Sequence, residues 1–196
     1  MDTEIKNPIN SNLNSKNSFS ELWKFILITV LIVLPIRLFV AKPFIVNGAS
    51  MDPTFKSGQY LIVDELSFHF RAPKRGEVVV FQYPHDTSRF YIKRIVGLPG
   101  ETVKIQYGKV SVQPKGSTES FTLDESYIVN ASADTANYTL GDHEYFVLGD
   151  NRPASSDSRA WGNLDIKYIV GRPAIRLFPP SSFSLIPGEH LLPISI

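Results

Sequence analysis

The chain has 196 residues, 43% of them hydrophobic, with 20 Lys and Arg against 19 Asp and Glu for a formal net charge of +1 at pH 7. That length holds one medium domain, with or without an appendage, and the scattered charges exclude a broad basic face for nucleic acid. Cysteine is absent, which excludes disulfides, thiolate metal sites and a cysteine nucleophile.

Residues 1–21 are rich in Asn and Ser and poor in large apolar groups, so they read as a disordered tail that cannot offset its own ordering entropy. Leu22 to Ala41 follows, with an apolar centre at Phe25–Ile36. That centre alone would suit a signal-peptide core as well as a membrane span. The flanks favour a span: Lys24 and Arg37 can snorkel, which stretches the helix to about 20 residues or roughly 30 Å. Trp23 suits an interface, and Pro35 falls in the final third, where a kink is tolerated. The segment is apolar on every side, unlike a helix with one core face. Residues 22–41 are therefore expected to form one transmembrane helix. Lys6, Lys16 and Lys24 precede it and Arg37 and Lys42 end it, a bias too weak to orient the chain.

Val46-Asn-Gly-Ala-Ser-Met-Asp-Pro-Thr-Phe55 comes next. Gly48 and Ala49 leave little bulk before Ser50, and Pro53 pushes Asp52 away from helical geometry. The stretch is a turn that presents a serine, as a nucleophile requires; surface turns share this composition.

From residue 43 onward the apolar residues fall in short β-type runs: Gln59–Val63, Glu77–Phe81, Tyr91–Val96, Val103–Ile105, Lys109–Val112, Ser126–Val129, Glu144–Leu148 and Ile169–Leu177. Turn signals separate them, at Leu98-Pro-Gly100 and Gly149-Asp-Asn151 among others. Residues 43–178 thus read as an all-β, antiparallel, barrel-like or sandwich domain, with 113–143 as a polar β-ribbon or flap. Residues 179–196 are apolar, broken by proline and too short for a second span, and form a C-terminal tail.

In Tyr91-Ile-Lys-Arg-Ile-Val96, strand alternation puts Tyr91, Lys93 and Ile95 on one face and Ile92, Arg94 and Val96 on the other. Burial of the first face would lower the Lys93 pKa toward 8, at roughly 3 kcal/mol, and a neutral lysine accepts a proton from a serine. A lysine on a solvated edge strand is the alternative. Gly149-Asp-Asn-Arg-Pro-Ala-Ser-Ser-Asp-Ser-Arg159 forms a dense hydrogen-bonding loop.

With these segments in view, the chain resembles the bacterial type I signal peptidases, membrane-anchored Ser/Lys endopeptidases of protein export. The resemblance rests on NGASMDPTF (47–55), RGEVVVF (75–81), YIKRIVGLPGE (91–101) and GDNRPASSDSRAWG (149–162), in the family's order behind an N-terminal span. It implies Ser50 as nucleophile and Lys93 as general base, with Ser155 hydrogen-bonded to the lysine amine. Arg94, Asp150, Asp157 and Arg159 match residues that brace the site. Phe44, Val46, Phe55 and Ile92 match the lining of shallow pockets for small side chains at substrate positions −1 and −3. Where some members carry a serine beside the oxyanion, this chain has Gly48, so backbone N–H groups are expected to serve, Ser50's among them.

The resemblance further implies preprotein signal peptides and a lipid bilayer as partners, with proximity to the export translocon and no nucleic acid. It places the chain in the plasma membrane as a single pass, its N-terminus cytoplasmic and its catalytic domain outside. His69, His85, His143 and His190 are isolated and lack metal-ligand spacing, so neither metal nor cofactor is expected. Two rival readings are an autoprotease of the same fold, for whose sensor domain the first 42 residues leave no room, and a non-catalytic β scaffold, which would require an inert Ser/Lys pair.

Overall fold

A computed structural model of the chain describes residues 15–39 and 41–190. The chain divides into two compact units, Met1–Leu38 and Phe39–Ile196. The first holds helix α1 (Ser15–Phe39), which starts seven residues earlier than the expected Leu22. Residues 15–21, expected in the disordered tail, are helical because each residue added to an existing helix gains a hydrogen bond, and Glu21 pairs with Lys24 at 3.0 Å. Residues 1–14 of that tail lie outside the described residues. In α1, side chains on every face are exposed, Phe25, Leu27, Ile28 and Leu31 among them. Among the described residues, no helix is long and apolar enough to cross a membrane. The expected span at 22–41 extends past Val33, the last described side chain of α1. Its end is corrected in one respect: Ala41 lies in a strand, in register with Asp64 of an antiparallel partner.

The second unit carries the strands β1 (Ala41–Ile45), β2 (Tyr60–Asp64), β3 (Val78–Tyr83), β4 (Asp86–Gly97), β5 (Thr102–Gln106), β6 (Lys109–Gln113), β7 (Phe121–Thr122), β8 (Ala136–Thr139), β9 (Glu144–Leu148), β10 (Leu164–Asp165), β11 (Ile169–Phe178) and β12 (Ser184–Leu185), with single-turn helices α2 (Ser67–Phe70) and α3 (Ser158–Trp161). The larger sheet runs β1-β2-β11-β3-β4-β9-β10, with β12 added to β11; the smaller runs β7-β6-β5-β8. Every strand pair is antiparallel.

The expected barrel does not close among the described residues, for β1 and β10 end the larger sheet. Proline at position 43 of β1 lacks the N–H that further pairing needs. The sheet still curls enough that Phe44 of β1 meets Phe90 of β4, ring to ring at 5.2 Å. The unpaired edge lies beside a cleft.

Burial follows the sequence pattern. β2 alternates, with Leu61 and Val63 inside, whereas Val78–Phe81 of β3 is buried on both faces, as its unbroken apolar run requires. Ser126–Val129, expected as a strand, is a turn: Ser126 N–H donates to Asp124 Oδ1, and Ile128 N–H to the Glu125 carbonyl. The expected ribbon at 113–143 contributes β7 and β8 to the smaller sheet, which packs around Val103, Ile105, Val110 and Val112. The tail at 179–196 is partly ordered into β12; residues 191–196 lie outside the described residues.

Candidate active site

The loop after β1 is closed by Val46 N–H to the Gln59 carbonyl at 2.9 Å and Gly58 N–H to the Val46 carbonyl at 2.8 Å. Within it, Phe55 N–H reaches the Met51 carbonyl at 2.8 Å, so both side chains drop into the core with Val46, Leu61 and Val78. Ser50 precedes this anchored Met51. Gly48, at φ +93, turns the chain just before it, and its N–H faces Ser57 Oγ at 3.4 Å.

Lys93 sits in β4 opposite Val79 of β3. It is 3% exposed, and its Nζ lies 2.7 Å from Ser50 Oγ and 2.9 Å from the Ile92 carbonyl. The Tyr91 ring is 5.3 Å away. Burial pushes the amine down to about 8, while the carboxylates of Asp157 and Asp150 pull the other way.

Arg94 points to the opposite side, as strand alternation requires. Its Nε and Nη2 grip Asp150 at 2.9 and 2.6 Å, with both side chains buried. Asp150 also accepts from Thr54 Oγ1 at 2.6 Å, on the loop that carries Ser50. Asp157 accepts from Gly149 N–H at 3.0 Å and from Arg159 Nε at 2.8 Å, and Arg159 reaches on to Asp134.

Asn151 and Arg152 were given no role by the sequence reading. Asn151 donates its N–H to the Ser50 carbonyl at 3.0 Å and its Nδ2 to the Ala49 carbonyl at 3.1 Å. Arg152 pairs with Glu125 and donates to the Gly149 carbonyl at 3.0 Å. Both lie inside the dense 149–159 loop and within the GDNR segment of the resemblance, which marked the loop without assigning these two residues a role. Gly149 is where the two loops touch: a Cβ there would overlap Ser155 Oγ and the Ser50 carbonyl oxygen.

Two expected contacts do not form. Ser155 Oγ is buried without a hydrogen-bond partner, so it does not orient the Lys93 amine here; its hydroxyl lies over Gly149 while Lys93 turns to Ser50 and Ile92. Phe55 is 0% exposed and belongs to the core, because the bond to Met51 folds it inward. The other expected lining residues, Phe44, Val46 and Ile92, border a cleft of about 530 Å³ together with Ser50, Tyr91 and Lys93. No histidine lines that cleft, and among the described residues no three His, Cys, Asp or Glu side chains gather as a metal site would need.

Residues 19–178 match the family described as Signal peptidase, peptidase S26. The chain is 36% identical over 181 residues to "Probable signal peptidase I-2" of Synechocystis sp., with 89% of this chain and 80% of that one covered. It is 34% identical over 172 residues to "Signal peptidase I" of Bacillus licheniformis, covering 85% and 92%. A crystal structure of a signal peptidase I from Enterococcus faecalis is 28% identical, covering 52% of this chain and 97% of that chain at a TM-score of 0.45. The molecule is a serine endopeptidase. More narrowly, the chain belongs to the signal peptidase family, peptidase S26.

Proposed function

We propose that this peptidase removes N-terminal signal peptides from exported preproteins, with Ser50 as nucleophile and Lys93 as general base. The observation that carries the reading is the 2.7 Å approach of the buried Lys93 Nζ to Ser50 Oγ. An amine titrating near 8 is largely able to take a proton at mildly alkaline pH. As Ser50 Oγ attacks the scissile carbonyl carbon, Lys93 accepts the hydroxyl proton and then passes it to the leaving amine. Water next attacks the ester carbon as Lys93 takes one of its protons; the ester C–O bond then breaks, Lys93 returns that proton to Ser50 Oγ, and the carboxylic acid product leaves.

The carboxylates of Asp150 and Asp157 favour the lysinium that forms in each step. The Ser50 backbone N–H is the oxyanion donor of this scheme, and Gly48, whose own N–H faces Ser57 Oγ, leaves no side chain to crowd the substrate. The rigid walls at Phe44, Val46 and Ile92 suit a peptide with small side chains at −1 and −3, such as Ala-x-Ala.

In this scheme the helix from residue 22 to residue 39 anchors the chain in the plasma membrane, with 1–21 cytoplasmic and the catalytic domain outside, beside the bilayer and the export translocon. Apolar side chains exposed on every face of α1 support the anchor. Full-length wild type, Ser50→Ala and Lys93→Ala are to be compared on a preprotein carrying Ala-x-Ala at its cleavage point. Both variants should be inactive; near-normal cleavage by either would refute the pair. External protease on spheroplasts should digest the catalytic domain, and its full protection would reverse the topology.

A further inference from the structure

The family match ends at residue 178, yet the chain beyond it returns to the site. β12 pairs with β11, Ile186 N–H donates to the Ala174 carbonyl at 2.8 Å, and Pro187 is buried. Gly188 then sets its carbonyl oxygen 2.6 Å from Arg94 Nη1. The same nitrogen donates to the Gly76 carbonyl at 2.8 Å, while Nε and Nη2 are spent on Asp150. Four hydrogen bonds thus fix a guanidinium that is 0% exposed.

Only glycine fits at 188. Its φ is +77, and a Cβ would stand 2.7 Å from the Phe55 ring and 3.0 Å from the Thr54 methyl. Two residues further on, His190 stacks on Tyr127 at 5.2 Å, and the Tyr127 ring in turn covers the Arg94 guanidinium at 4.2 Å. Backbone and rings together keep water from Arg94.

We propose that residues 184–190 form a strap that positions the catalytic pair through Arg94, with Gly188 as its positioning residue. The path is short. Arg94 fixes Asp150, Asp150 holds Thr54 Oγ1, and the adjacent Asn151 holds the carbonyls of Ala49 and Ser50. The proposal rests on the assignment of Ser50 and Lys93 made above.

Lifting the strap admits water to Arg94, and the guanidinium then neutralises Asp150 less, because their attraction weakens as the local dielectric rises. Asp150 and Asp157 are the carboxylates whose charge acts on the Lys93 amine, and Asp157 stays paired with Arg159. A less neutralised Asp150 favours the protonated amine. The Lys93 titration therefore moves upward. A loss of folded protein would lower activity without moving that titration.

The test uses full-length wild type, Gly188→Ala and a chain shortened after Phe183, with an Ala-x-Ala peptide as substrate. The readouts are kcat, KM, the pH dependence of kcat/KM and thermal unfolding. Gly188→Ala should stay folded, keep KM within about twofold and lose roughly 10-fold or more in kcat, the scale expected for a misplaced catalytic group. The midpoint of its alkaline rise should move up by about half a pH unit or more. The shortened chain should show the same shift; if it does not fold, Gly188→Ala decides alone. An unmoved midpoint with activity lost in proportion to folded protein, or an unchanged kcat, would overturn the strap. Ser50→Ala and Lys93→Ala run alongside: activity surviving in either refutes the catalytic assignment itself, whereas both inactive with an unmoved midpoint refutes the strap alone.

Discussion

Asn151 holds the nucleophile loop at two successive carbonyls, Ser50 through its backbone N–H and Ala49 through its side-chain amide. Asn151→Ala removes only the second bond, and stability should drop by about 1 kcal/mol, the usual net worth of one hydrogen bond. Because that bond fixes the turn carrying Ser50, kcat should fall roughly 10-fold or more. Asn151→Asp should be worse, since a carboxylate then faces a carbonyl. Steady-state kinetics beside thermal melts check both; unchanged kcat in Asn151→Asp would show that the clamp is idle.

Lys93 makes opposite demands on activity and stability. Its folded pKa is lowered to about 8 from 10.5, so between those values the unfolded chain holds more protons and stability rises with pH. Below about pH 8 the burial penalty is present in full, on the order of 3 kcal/mol. Lys93→Met should therefore be inactive yet more stable than wild type at pH 7, with the gap closing toward pH 10.5. Melting both proteins across that range reads the gap directly, and a constant difference would contradict it.

Activity should climb with pH through about 8 in wild type, following Lys93. Lys93→Arg should be inactive throughout, because guanidinium stays protonated above pH 12 and cannot act as a base. A pH–rate profile on a peptide substrate settles this; turnover in the arginine variant would require another base.

Asp150→Ala leaves the Arg94 charge buried without its partner, a change that typically costs about 3–5 kcal/mol. The denaturant midpoint should fall accordingly, before any kinetic effect is considered. A shift under about 1 kcal/mol would mean that water relieves Arg94 easily, and the buried geometry argues against it.

Phe55 and Phe44 should separate stability from substrate binding. Phe55→Ala opens a hole in the core and should cost about 3–5 kcal/mol, whereas the volume-sparing Phe55→Leu should keep KM. Phe44→Ala, at the cleft, should raise KM with a smaller effect on unfolding. A KM change in Phe55→Leu at unchanged stability would return that residue to the substrate site.

The placement of Lys93 and Arg94 on opposite sides of β4 was legible because a strand has a period of two. The turn that presents Ser50 was legible because Gly48 and Pro53 constrain backbone locally. Phe55 was not, because its direction depends on which carbonyl its N–H finds in a loop without periodicity. The grip of Asn151 on Ala49 joins residues 102 apart, and Gly188 reaches Arg94 across 94. No local preference encodes such meetings. Barrel closure was not legible for a related reason: alternation marks which residues pair, but not whether the last strand finds the first.

The contact at Gly149 fixes what evolution can do here. Its neighbours are a serine hydroxyl and a main-chain carbonyl oxygen, and only the hydroxyl can be removed by changing a residue. Every amino acid other than glycine adds at least a Cβ at this position. The position therefore has no neutral neighbours in sequence space. Variants that drift there must first move the backbone of Ser50, so an altered spacing between the two loops requires several simultaneous changes rather than a gradual series.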